Sequence, residues 1–232
     1  TNTFFRTTVY NNFRSFFSRQ QSALPTNFWS VDLQGIGGSR PNPGVMSGAD
    51  SQLGIGNQWN QLDTDVHPGV AENSDVDNLR NHLGQETGVG FSISGTVSGF
   101  VNGTDPLTGD SIFVGNGNAD QNVDWQITGL NAGTAYDLFL FNGDARFRDA
   151  HLKVDVGGDG DFDDDTILEL SDDGFLVEDI AVSGAGTIAG QFLAGNWSGF
   201  HLIDGGFPDT IAPPITGSGG NKGRRIMDRV RY

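Results

Sequence analysis

Cysteine is absent from all 232 residues of the chain. Disulfides and thiolate metal sites are therefore excluded, which suits a cytosolic protein or a secreted one that gains rigidity by other means. Apolar runs are short as well, and no stretch of about 18 apolar residues exists that could cross a bilayer as a helix. Charge is sparse at 18% of residues, and basic residues are fewest, 13 against 29 acidic ones. A chain this acidic argues against a nucleic-acid partner, because phosphate binding needs a basic surface. Catalytic patterns are missing too. The four histidines, His67, His82, His151 and His201, show no His-x-x-x-His or His-Glu spacing and read as surface or packing residues. There is no Gly-x-Ser-x-Gly elbow, and residues 217–222 lack the Gly-Lys-Ser/Thr order of a phosphate loop, reading instead as a flexible linker. No pair of carboxylates stands out as the acid and base of a glycosidase. The expectation is a protein that is not an enzyme.

What the chain does have is glycine, 35 residues of it, with abundant Asn, Asp, Thr and Ser. That composition belongs to many short strands joined by tight turns. The length is enough for one large β-domain with a proper core. The few charges are also unevenly placed. Residues 1–19 carry Arg6, Arg14 and Arg19 with no acid, a charge of +3, and residues 222–232 carry Lys222, Arg224, Arg225, Arg229 and Arg231 against Asp228, a charge of +4. Taking both from the whole-chain −16 leaves −23 on residues 20–221. Opposite charge on the ends and body of one chain favours contact between copies, because complementary potential steers and registers association.

Three parts follow along the chain: an aromatic and basic arm over residues 1–25, a β-domain over 26–207, and a Pro/Gly linker with a basic arm over 208–232. In the first arm Phe5, Val9, Phe13 and Phe16 sit at helical spacing, whereas Phe5, Thr7 and Val9 alternate with Arg6, Thr8 and Tyr10 as on a strand. Aromatic and β-branched content favours a strand over 3–10 and leaves a helix open over 10–21. In the body, strands are expected at 28–33, 89–101, 111–114, 123–130, 135–141, 152–156, 166–170, 175–182, 186–193 and 199–203. Asn102-Gly103, Asn142-Gly143-Asp144 and Asp173-Gly174 are the turns between them. Residues 35–80 carry little strand signal and read as a surface excursion held down by Leu53, Ile55, Trp59 and Leu62. The fold class is all-β: an antiparallel β-sandwich of the jelly-roll kind with extended N- and C-terminal arms.

The run Leu130-Asn-Ala-Gly133-Thr134-Ala-Tyr136 resembles the Leu-x-x-Gly-Thr-x-Tyr corner of fibronectin type III and related sandwiches, where a turn delivers a Tyr whose hydroxyl ties back to the backbone. A wider pattern joins Phe28-Trp-Ser-Val-Asp-Leu, this corner, an Asp-rich hairpin and Ala194-Gly-Asn-Trp-Ser-Gly-Phe-His-Leu-Ile. It resembles, over residues 28–204, a domain of secreted planctomycete and PEP-CTERM-type bacterial surface proteins. The resemblance implies an extracellular β-sandwich. The chain departs from that group at its end, where neither Pro-Glu-Pro nor an apolar span precedes the arginines. It begins without Met, as a secreted protein does after losing a signal peptide, and the expected location is extracellular or on the cell surface.

The most definite chemistry lies in Asp155-Val-Gly-Gly-Asp159-Gly-Asp161-Phe-Asp163-Asp164-Asp165. Alternating carboxylates in a Gly-rich hairpin loop can converge several hard oxygens, which suits Ca²⁺ and its six to eight oxygen ligands. The expected ligands are Asp155, Asp159, Asp161, Asp163 and Asp165. The loop is not an EF-hand, since counting from Asp159 puts Asp164 where Gly is required and Leu170 where a bidentate Glu is required. A solvated acidic turn is the alternative. Asp172, Asp173, Glu178 and Asp179 form a second acidic group that reads as exposed strand surface. Asn102-Gly-Thr104 and Asn196-Trp-Ser198 match the N-glycosylation acceptor triplet.

These features point first to a non-catalytic extracellular structural subunit that assembles with copies of itself into a filament or surface polymer by strand donation. The donor residues are Phe4, Phe5, Val9, Tyr10 and Phe13 of the first arm, with Ile226, Val230 and Tyr232 alternating with Arg229 and Arg231 in the last. The alternative is a calcium-dependent carbohydrate-binding or adhesion module, with polysaccharide as partner and Trp29, Trp59 and Trp197 as candidate platforms.

Overall fold

A computed structural model of the chain describes residues 27–35, 59–64, 74–95, 97–101, 110–115, 123–143, 149–170 and 174–205. Both arms, and Asn102 with them, lie outside these residues. Twelve strands and no helix make up the described part. They are β1 (Phe28–Gly35), β2 (Asn60–Thr64), β3 (Ser74–Val76), β4 (Gly90–Ser94), β5 (Ser98–Val101), β6 (Asp110–Val114), β7 (Val123–Thr128), β8 (Ala135–Asn142), β9 (Ala150–Val154), β10 (Leu168–Leu170), β11 (Phe175–Ala181) and β12 (Ile188–Asp204).

β12 organises the sheet. Its first half pairs with β7 on one side and β9 on the other, its middle with β6, and its last third with β1 and β8. From the first half the order runs β10-β9-β12-β7-β4-β3. The sequence suggests two strands here, 186–193 and 199–203, parted by residues 194–198. The chain runs on as one because the glycines at this point serve close approach between backbones, not a turn. A Cβ on Gly195 would lie 2.0 Å from the carbonyl oxygen of Asp149, and one on Gly199 2.3 Å from that of Val31. Only glycine lets these neighbours in.

Three further expectations need correcting. The sheet is mixed, not wholly antiparallel, since β2 joins β1 in parallel with Val31 opposite Asn60 and Leu33 opposite Leu62. The segment expected over 89–101 is two strands, parted at Gly95 with φ 126°. The stretch 35–80, poor in strand signal, supplies β2 and β3. Short strands such as these are held by their neighbours more than by propensity.

The sheet curls so that its ends share one core. Phe91 on β4 packs edge-on against Phe200 near the end of β12 at 4.8 Å, and Trp125 on β7 lies 5.5 Å from Trp197. Around them are Val31, Leu33, Ile93, Ile112, Leu138, Leu140, Phe192 and Leu202, all buried. The alternation apolar-in, polar-out is plain on β7, where Val123, Trp125 and Ile127 are buried and Asp124 and Gln126 exposed. β8 departs from it, with every residue from Tyr136 to Asn142 buried. Its second face, and that of β12, carries a separate cluster of Trp59, Phe139, Phe141 and Leu176.

Candidate cation loop

The expected corner forms. Gly133 takes φ 85°, Tyr136 is buried, and the Asn131 N–H donates to the Tyr136 hydroxyl at 3.3 Å. That turn feeds β8, the strand beside β12 whose partner on the far side, β11, ends next to the acidic loop. The loop itself leaves β9 at Val154 and returns to β10 at Leu168. It is stitched to the sheet by backbone bonds, Asp155 N–H to Ala189 O and Ala181 N–H to Val156 O, each 3.0 Å.

Within the loop the carboxylates do not play equal parts. Asp155 is only 3% exposed. Its Oδ1 accepts the N–H groups of Gly158 at 2.7 Å and Asp159 at 3.2 Å, and its Oδ2 accepts that of Gly160 at 2.8 Å. Both oxygens thus serve the loop's own backbone, and the turn they bind needs the left-handed φ of Gly158 and Gly160, 68° and 81°. Asp159 Oδ1 accepts the Asp161 N–H at 2.9 Å, and Asp161 Oδ1 accepts the Asp163 N–H at 2.8 Å. These two side chains, and Asp163, stay exposed. Asp165 is the exception among the outer four. Its Oδ2 is buried without a hydrogen-bond partner, and burial first, then the charges of Asp155 and Asp164, raises its pKa against the opposing hydrogen bond from Val156 and the charge of Lys153. The Lys153 ammonium donates to the Phe162 carbonyl across the loop.

Among the described residues no three Asp, Glu or His side chains converge as the donors of a metal site. Calcium fits the loop in one respect: the orphaned Asp165 oxygen and the outward oxygens of Asp159, Asp161 and Asp163 are hard donors with capacity to spare. Asp155 fits as the residue that holds the turn.

The second acidic group is not uniform surface. Glu178 is 6% exposed, drawn inward at a β-bulge where Asp179 takes φ 59° and donates its N–H to Asp137 at 2.9 Å. Asp172 and Asp173 lie outside the described residues. Asn196 is 1% exposed in the middle of β12, and a sugar attached there could not reach solvent in the folded chain. Trp29, Trp59, Trp125 and Trp197 are all buried, so none offers an open indole face to a glycan. His201, which from sequence reads as a surface or packing residue, is buried, and its place between the core residues Phe200 and Leu202 puts it on the second face.

No protein family, curated protein or solved structure matches this chain.

Proposed function

We propose that this protein is a non-catalytic, extracellular structural subunit that assembles with copies of itself through its terminal arms, and that a calcium ion at the 155–165 loop stiffens its body. The observation that carries the reading is the division of charge, +3 and +4 at the ends against −23 between them. Such a division costs repulsion within the body and is relieved when the arms of one copy meet the body of another. We read the curled sheet as a jelly-roll sandwich, on the packing of Phe91 against Phe200. The aromatic residues 3–10 would be the donated strand, and the arginines of residues 222–232 would clamp by charge, a contact that salt weakens.

Negative-stain microscopy and sedimentation of three chains test this: the full chain, one lacking 1–19 and one lacking 222–232. Polymers from the full chain, short species from the first deletion and salt-sensitive or irregular assembly from the second are expected. Normal polymers without residues 1–19 would overturn strand donation. A full chain that stays monomeric and is retarded on polysaccharide columns would replace assembly with carbohydrate binding. For the loop, EDTA should lower the thermal midpoint by removing a ligand of the native state, and an unchanged midpoint removes calcium from the proposal.

A further inference from the structure

His201 sits in the middle of the second face of the sheet. Its neighbours on β12, Phe200 and Leu202, belong to the main core, so its side chain points the other way. In register it stands between Ser30 on β1 and Phe139 on β8. The Trp59 ring, just ahead of β2, is 4.9 Å away, and the Phe141 ring meets it edge-on at 4.7 Å. The residue is 0% exposed, and neither Nδ1 nor Nε2 has a hydrogen-bond partner. A neutral imidazole leaves one donor and one acceptor unmet there, whereas a protonated one would leave two donors and a charge.

Among the described residues, the buried ionisable groups on the strands beside it are Asp32 on β1, Asp137 on β8 and Glu178 on β11. Asp137 is engaged with the Asp179 N–H. None acts as counter-ion to the imidazole. Burial alone lowers its pKa from 6.5 to about 3.

We propose that His201 is an acid-operated latch: on protonation the ring leaves its enclosure of Trp59 and Phe141, and Trp59 with β2 comes away from the sheet, drawing Leu62 from the edge of the main core while β4, β7 and the first half of β12 stay paired. β2 is the strand suited to release: it is five residues long and, among the described residues, its backbone pairs with β1 alone, with the Asn60 side chain adding bonds to Ser30 and Arg80. The latch does not depend on the assembly reading and works in a single copy.

The direction follows from linkage. The folded pKa is depressed, so the closed form has its full advantage above the ordinary value of 6.5 and loses it as pH falls toward 3. An opened state in which the ring reaches water gains population by about 10²-fold at pH 4.5 relative to pH 7.

Hydrogen exchange of the full chain at pH 7.0 and 4.5, corrected for intrinsic rates, reads this directly. In the wild-type chain, protection over 59–64 should fall about 10²-fold, and protection over 123–128 should hold. In His201→Phe, which keeps an aromatic ring and cannot titrate, 59–64 should stay protected at both pH values. His201→Gln carries the same expectation if the phenylalanine variant does not fold. Equal acid response in wild type and variant, no loss at 59–64 in wild type, or a loss shared by 123–128 would each overturn the latch.

Discussion

Replacing Asp155 by alanine removes one buried carboxylate and strands three backbone donors, the N–H groups of Gly158, Asp159 and Gly160. A hydrogen bond to a charged group contributes about 1.5–3 kcal/mol net. The three share one acceptor and are not additive, and the loop is open enough for water to reach a freed N–H, so Asp155→Ala should cost about 3–4 kcal/mol. Asp155→Asn keeps the Oδ1 that serves Gly158 and Asp159 but turns an amide toward the Gly160 donor, and should cost about 2 kcal/mol. Urea unfolding followed by far-UV circular dichroism at pH 7, with EDTA present throughout, separates this backbone role from any cation. A loss under about 0.5 kcal/mol for Asp155→Ala in EDTA would refute the anchoring role. A loss that appears only with calcium would make Asp155 a ligand instead.

Two glycine substitutions separate crowding from backbone strain. At Gly190 an added Cβ would fall 2.0 Å from Trp125 Cζ2 and 2.4 Å from the Lys153 carbonyl oxygen, so Gly190→Ala should lose about 3 kcal/mol or more. Gly133, at φ 85° with nothing within 4 Å, should lose only about 1 kcal/mol on Gly133→Ala. Equal losses in thermal melts would contradict the geometry. Tyr136→Phe removes the acceptor of the Asn131 N–H at the corner and should cost about 1 kcal/mol, and an unfolding midpoint matching wild type would show that the corner gains nothing from it.

The all-β class, the corner at 130–136 and most strand positions were legible in the sequence, because each depends on neighbours close along the chain. Alternation placed Val123, Trp125 and Ile127 on one face, and Gly133 at φ 85° supplied a turn that a local motif already announced. The acidic loop was legible as a place but not in its parts. Five aspartates look alike in sequence, and only folding sends Asp155 under the backbone while Asp159, Asp161 and Asp163 stay in water.

Tertiary structure alone decided the rest. Gly195, in the expected break between two strands, and Gly199, at the expected start of the second, admit the backbones of Asp149 and Val31, contacts from 46 and 168 residues upstream that no local pattern encodes. The parallel partnership of β1 and β2 is likewise a matter of which edge was open to a short strand. His201 and Glu178 look like any surface histidine and glutamate until the second face of the sheet closes over them. Local chemistry determines what a segment can become, whereas burial depends on which distant segments meet it, and here burial is what gives His201 and Asp155 their roles.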